Sequence, residues 1–329
     1  MSEIIRWGIL GTGNIASSFA TGVATMPDAE LAAVGSRSKA TADAFGDRFD
    51  IPRRYPTYAG LANDPNIDVI YIATPHSLHL ENALLCLDAG KAVLCEKPFT
   101  INTAQARQVI ARAKERKLFL MEAMWMRFFP LVVELRKRLA ERAIGDVRMV
   151  SADFGFRTTF DPGRRLFDPS LGGGALLDVG VYPVSLAHMI LGKPTQVTGL
   201  ATLGETGVDE QAAFILGYEG GELAILHTAI RTTSPQEAII MGTEGWIRIH
   251  SPWWMPSVMT IQKPGGEPET VEVPFEANGY NYEAAEVHRC LREGKLESDV
   301  MPWEETLAVM ETLDSLRAQG GLRYPMEER

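Results

Sequence analysis

The stretch Ile4-Ile5-Arg6-Trp7-Gly8-Ile9-Leu10-Gly11-Thr12-Gly13-Asn14-Ile15-Ala16 decides the fold of the first part of the chain. Residues 4–10 are a short apolar run and read as a strand, while 14–26 read as a helix stopped by Pro27-Asp28. Between them lies G-x-G-x-x-A, the fingerprint of a dinucleotide-binding turn. Gly11 allows the tight turn and Gly13 lets backbone approach a pyrophosphate. Asn14 and Ile15 open the helix, whose N-terminus faces the phosphate charge, and Ala16 lets helix and strand pack closely.

Working outward, strands read at 31–36, 68–73, 92–95 and 118–121 alternate with helical stretches at 40–49, 78–89 and 103–117. Buried strands separated by helices imply a parallel sheet covered on both faces, a Rossmann domain over residues 1–122. The pattern changes after Glu122. A helix at 129–143 and a strand at 147–156 precede a turn, Gly172-Gly173-Gly174, that opens a helix running to Leu191. Strand patterns follow at 196–202, 211–218, 222–232, 238–241, 246–250, 258–262 and 270–273, and helices at 282–292 and 303–317 close the chain. The fold class is therefore α/β, with a C-terminal α+β domain over 123–329 carrying a largely antiparallel open sheet. Such a sheet must cover its second face, and a homodimer through it is one solution.

Bulk properties narrow the function. The 329 residues carry a net charge of -10, which disfavours general binding to nucleic acid or anionic membrane. Cys86, Cys95 and Cys290 cannot all pair and form no C-x-x-C, so they read as reduced, buried thiols of a cytoplasmic protein. Met1-Ser2-Glu3 enters a strand at once, unlike a signal peptide, and no apolar stretch reads as long enough for a membrane span. The histidines and cysteines lack metal-ligand spacing, and no metal is expected.

The end of the second strand bears on the cofactor. NAD enzymes place an acid there for the ribose hydroxyl. This chain has Gly35-Ser36-Arg37-Ser38-Lys39 instead. Ser36 and Ser38 can donate to a 2′-phosphate, and Arg37 supplies charge and a face for adenine, which favours NADP over NAD.

Two more segments matter: Ala73-Thr74-Pro75-His76 with Cys95-Glu96-Lys97-Pro98, and Gly172-Gly173-Gly174-Ala175-Leu176-Leu177-Asp178-Val179-Gly180-Val181-Tyr182-Pro183. With the N-terminal fingerprint, they resemble the glucose–fructose oxidoreductase / inositol dehydrogenase family over essentially the whole chain. Within it, Ser36-Arg37-Ser38 and the stretch from Glu122 to Pro130 resemble dimeric dihydrodiol dehydrogenases and NADP-dependent D-xylose dehydrogenases. The resemblance implies oxidation of a sugar at its anomeric carbon or of a cyclic vicinal diol. It implies a cofactor lined further by Thr74, Pro75, His76, Glu96 and Lys97, with a cis peptide before Pro98 aiming Lys97. Tyr182 replaces the histidine of inositol dehydrogenases, which argues against inositol as substrate.

Asp178 and Tyr182 lie one helical turn apart and can face one cleft. Removing hydride from a carbinol carbon requires loss of the hydroxyl proton. Unperturbed Tyr and Lys have pKa values near ~10 and ~10.4, too high for a neutral-pH base. An ammonium at Lys97 would lower that of Tyr182, making Tyr182 the general acid/base; the reverse assignment, Lys97 as the base, stays open. Asp178 either contacts substrate or braces the glycine turn. Trp125, Arg127 and Phe128 can line a sugar pocket, while Trp125, Phe128 and Phe129 read equally as core or dimer contacts. His76 lies at a strand end where ligands collect, His79 reads as structural or a supporting contact, and His188 reads as packing. Trp253-Trp254 reads as an exposed hairpin pair with an interface or sheet-packing role.

Three functions compete. The first is an NADP-dependent sugar or diol dehydrogenase. The second is a redox-neutral glycosidase with retained NAD, and the third a sugar-responsive regulator on the same fold. Lys97, Asp178 and Tyr182 together favour an enzyme.

Overall fold

The computed structural model describes residues 4–328; the reading of Met1-Ser2-Glu3 lies outside them. The chain forms two units, Met1–Trp125 with Glu276–Thr306, and Met126–Phe275 with Leu307–Arg329. The first crossing falls three residues beyond the expected boundary at 122. The second was not expected: residues 276–306 return to the first unit rather than closing the second.

The first unit holds a six-stranded parallel sheet, ordered β3-β2-β1-β4-β5-β6. Its strands are β1 (Ile5–Leu10), β2 (Ala29–Gly35), β3 (Arg53–Tyr55), β4 (Val69–Ile72), β5 (Ala92–Glu96) and β6 (Leu120–Ala123). The helices α1 (Asn14–Val23), α2 (Lys39–Arg48), α3 (Tyr58–Ala62), α4 (His79–Asp88) and α5 (Thr103–Arg116) connect them. Val69, Ile70, Tyr71 and Ile72 of β4 are fully buried, as a central parallel strand requires. Each such side chain stabilises the fold by about 1.5–3 kcal/mol over an exposed one.

The returning segment docks by specific bonds. In α8 (Tyr280–Arg292), His288 accepts from the Trp7 indole at 2.9 Å and meets Asp28 at 3.2 Å through its other nitrogen. Asn278 donates to the Ser18 carbonyl at 2.8 Å. Gly22 has no room for a Cβ, which would lie 2.6 Å from Asn278 Oδ1.

The second unit holds an eight-stranded sheet, ordered β14-β13-β12-β11-β7-β10-β9-β8. It comprises β7 (Val147–Gly155), β8 (Gln196–Leu203), β9 (Asp209–Gly217), β10 (Leu223–Ala229), β11 (Ala238–Gly242), β12 (Gly245–Ile249), β13 (Val258–Gln262) and β14 (Glu269–Glu272). All pairings are antiparallel except β7 with β10, so the sheet is largely antiparallel as expected. One face packs on α7 (Val181–Leu191) and the turn before it. The other presents Leu200, Ile215 and Ile225, exposed by 83%, 48% and 43%.

Further helices are α6 (Pro130–Ala140) and α9 (Trp303–Gly320). The stretch Pro169–Leu191 corrects one sequence reading: it is long and apolar enough to cross a membrane by length and composition. Its most apolar window is 83% buried inside the protein, as a core helix is. The three cysteines are unpaired and buried.

Candidate active site

In the first unit, the G-x-G-x-x-A turn sits where expected. Gly11 has φ +108° and presses against the Ala73 carbonyl, which a Cβ would approach to 2.8 Å. A Cβ on Gly13 would meet nothing within 4 Å. Gly13 thus opens onto a cavity of about 650 Å³, lined also by Gly11, Thr12, Ser36, Arg37, Ser38, Thr41, Tyr58, Ala73, Thr74 and Pro75. No side chain caps α1, whose first N–H groups are available to an anion.

The far end of this cavity is rich in hydroxyls. Ser36 Oγ lies 2.6 Å from Thr41 Oγ1 and 3.3 Å from Thr12 Oγ1, and Thr41 Oγ1 lies 2.8 Å from Ser38 Oγ. Ser38 also caps α2, accepting from the Thr41 N–H. No Asp or Glu lines the cavity. The sequence reading missed Thr12, Thr41 and Tyr58. Thr41 follows the capping serine by three residues, a readable signal; Tyr58 comes from a short segment after β3 that no periodicity marked.

His76 starts the short helix after Pro75. His79 is fully buried, each ring nitrogen 2.9 Å from a carbonyl, of Pro98 and of Thr74, and burial lowers its pKa. It ties the loop after β4 to the loop after β5, the supporting role read from the sequence. Lys97-Pro98 is cis. Glu96, read from the resemblance as lining the cofactor, is buried. Its buried carboxylate accepts from the Tyr71 hydroxyl and, at 3.1 Å, from the Lys97 N–H, so it orients the lysine's backbone. Neighbouring Glu283 is fully buried, and burial with the Glu96 charge pushes its pKa well up. Trp125 stacks on Tyr280 with centroids 4.4 Å apart, which favours the packing reading over a sugar platform.

In the second unit, the glycine turn leads into five residues of wide, i→i+5 helix, Leu176–Gly180, before α7 begins. Asp178 lies in the wide turn and Tyr182 in the first turn of α7. Arg165 donates to Asp178 Oδ1 at 2.8 Å, a partner the sequence did not indicate. Tyr182 packs beside Phe154 at 5.3 Å between centroids, and Phe154 stacks on Trp254 at 3.4 Å. The expectation of an exposed Trp253-Trp254 pair is overturned. Trp253 is buried with its indole donating to the Asp153 carbonyl at 2.6 Å, while Trp254 extends the aromatic wall beside Tyr182.

Arg127 lies among buried side chains. It is 2% exposed and donates to Ser185 Oγ at 2.9 Å and to the Ser185 carbonyl at 2.7 Å. Ser185 lies one turn beyond Tyr182, so Arg127 braces the tyrosine's helix. Phe128 is buried beside it in sequence. His188, with Nε2 2.9 Å from Thr312 Oγ1, packs as read, and burial pushes its pKa down to about 3. Among the described residues no three His, Cys, Asp or Glu side chains gather as a metal would need.

The family model described as an oxidoreductase family with an NAD-binding Rossmann fold matches residues 5–124, and the GFO/IDH/MocA C-terminal domain matches 132–248. The mouse protein named trans-1,2-dihydrobenzene-1,2-diol dehydrogenase is 39% identical over 99% of both chains. The chain belongs to the GFO/IDH/MocA oxidoreductase family. Aldose-aldose oxidoreductase from Caulobacter crescentus, complexed with glycerol, aligns over 99% of both chains with a TM-score of 0.89 and 26% identity. KijD10, a 3-ketoreductase from Actinomadura kijaniata in complex with NADP and TDP-benzene, aligns over 97% of this chain and 98% of its own, with a TM-score of 0.88 and 26% identity. This family oxidoreductase carries its dinucleotide fingerprint and its cis Lys97-Pro98 in one compact unit and Asp178 and Tyr182 in the other.

Proposed function

We propose that this oxidoreductase is an NADP-dependent dehydrogenase that transfers hydride between the nicotinamide and the carbinol carbon of a sugar or cyclic vicinal diol. The observation carrying the cofactor choice is the cavity end built from Ser36, Arg37, Ser38 and Thr41 with no carboxylate. A 2′-phosphate meets hydroxyl donors and a guanidinium there, and no repelling charge. The empty space beside Gly13 and the uncapped α1 fit the pyrophosphate. The NADP-bound KijD10 structure and the diol dehydrogenase name of the mouse relative support the same reading.

When bound, the dinucleotide supplies the carbon that accepts or returns hydride. The chain's part is the proton. Tyr182 would take it from the substrate hydroxyl, with Lys97 as the alternative base. Asp178, fixed by Arg165, offers a further acceptor for a substrate hydroxyl. The aromatic wall of Phe154 and Trp254 suits the apolar face of a sugar or diol ring. The test is turnover of a panel of aldoses and trans-dihydrodiols with NADP and with NAD. The expected result is reduction of NADP by at least one panel member at higher kcat/KM than with NAD. Reduction of NAD alone would overturn the cofactor choice, and no reduction at all the dehydrogenase reading.

The assembly proposed is a homodimer through the open face of the second unit's sheet. A shallow apolar depression of about 970 Å³ lies on β8, β9 and β10, and none of its lining residues is Asp, Glu, Lys or Arg. In a chain of net charge -10, two copies meeting there bring no like charges into contact at that surface. Sedimentation should give a dimer that Leu200→Asp converts to monomer; a wild-type monomer would refute it. The buried unpaired thiols fit a reducing cytoplasmic setting, which cell fractionation of the source organism checks.

A further inference from the structure

Asp209 is the first residue of β9, fully buried, and has no part in the chemistry proposed above. Its Oδ2 accepts the N–H of Leu176 at 2.7 Å. Leu176 opens the wide turn that carries Asp178 and leads into Tyr182. The third glycine of the turn is shaped around the same carboxyl. Gly174 has φ +113°, and a Cβ there would lie 2.2 Å from Asp209 Oδ1. The turn is held from its other side as well, for the Tyr324 hydroxyl donates to the Gly173 carbonyl at 2.6 Å. The first N–H groups of a helix have no partner within it, and a carboxylate that accepts one fixes where the helix starts. Here the helix start lies two residues before Asp178 and six before Tyr182.

From this arrangement we infer that Asp209 is a positioning residue for the proton-transfer tyrosine. It caps the turn at Leu176, and so sets the axial and rotational placement of Asp178 and Tyr182. Gly174 is glycine because its φ of +113° excludes a side chain and because a Cβ would meet that carboxyl. Asp178 on the turn, Arg317 on α9 and Tyr324 are the titratable and charged groups coupled to it. Burial pushes its carboxyl up to about 7 against the Leu176 hydrogen bond. The inference rests on the reading of Tyr182 as the proton-transfer residue, and the experiment separates the two.

Four variants are compared with wild type: Asp209→Ala, Asp209→Asn, Gly174→Ala and Tyr182→Phe. The readouts are kcat, KM, NADP affinity and amide hydrogen exchange of the segment 175–182. Asp209→Ala should lower kcat by about tenfold or more with NADP affinity unchanged, and speed exchange in 175–182 selectively. Asp209→Asn, whose amide oxygen still accepts from Leu176, should restore most of both. Gly174→Ala, which drives a methyl into Oδ1, should repeat the kcat loss and decide the matter if Asp209→Ala does not fold. Unchanged exchange in the folded Asp209→Ala or Gly174→Ala protein would overturn the cap. Faster exchange with kcat within twofold of wild type would overturn the positioning role. Near-normal activity of Tyr182→Phe would instead refute the tyrosine reading and leave exchange to judge the cap alone.

Discussion

The dinucleotide half and the tyrosine half of this enzyme are built by different means. The first is largely backbone: glycines that admit a ligand, the uncapped start of α1, and a chain of neighbouring hydroxyls from 36 to 41. The second is largely buried side chains recruited from afar. Asp209 reaches back 33 residues to Leu176, Arg127 reaches 58 to Ser185, and Thr312 reaches 124 to His188. A backbone site is written in one contiguous motif. A side-chain site is fixed by partners whose sequence distance carries no signal.

That difference gives tests that sharpen or break it. The largest effect belongs to Tyr182→Phe. Its kcat should fall by ~10²–10⁴-fold, the usual worth of general acid–base catalysis, with NADP affinity within twofold of wild type. Steady-state kinetics and fluorescence titration check it; a weakened cofactor would mean the two halves are not separable.

Next comes Arg37→Asp. Losing a charge-assisted contact worth ~1.5–3 kcal/mol should weaken NADP by roughly 10–100-fold while leaving NAD little changed. Equal losses for both cofactors would remove Arg37 from the 2′-phosphate.

The two fingerprint glycines should part company. Gly13→Ala points a methyl into open space, so the melting temperature holds while NADP affinity drops about tenfold, about 1.4 kcal/mol. Gly11→Ala places a methyl 2.8 Å from the Ala73 carbonyl at φ +108°, and should cost ~1–3 kcal/mol of stability. Identical melting curves for the two variants would contradict this assignment.

The smallest effect is a pH dependence in the tyrosine half. Burial, then the Arg127 charge, pushes His188 down to about 3. The unfolded chain protonates this residue near ~6.5. The stability it permits is therefore intact above ~6.5 and is lost progressively as pH falls toward 3. His188→Asn should flatten the decline of melting temperature between pH 7 and 4; parallel curves would show that another group governs it.

The same contrast explains what the sequence made legible. Alternating strands and helices, the G-x-G-x-x-A turn, Arg37 and the run from Gly172 to Tyr182 were readable because each is local. The return of 276–306 was not: α8 has an apolar face, but no pattern says which unit that face covers. Its anchors are single bonds, from Trp7 to His288 and from Asn278 to Ser18. Trp253 was misplaced for a related reason. Its place beside Trp254 suggested an exposed pair, while burial and a hydrogen bond across 100 residues put it in the core. Phe154 was read only as strand, and its stacking on Trp254 joins residues 100 apart in sequence, beyond any motif.

The most direct test of the dehydrogenase assignment is label transfer. An aldose or dihydrodiol substrate carrying deuterium on its reacting carbinol carbon is incubated with the protein and NADP, and the reduced cofactor is analysed by mass spectrometry. One deuterium per reduced nicotinamide is the expected result. Substrate consumed with no deuterium in the cofactor, or no reduced cofactor at all, would contradict hydride transfer at this site.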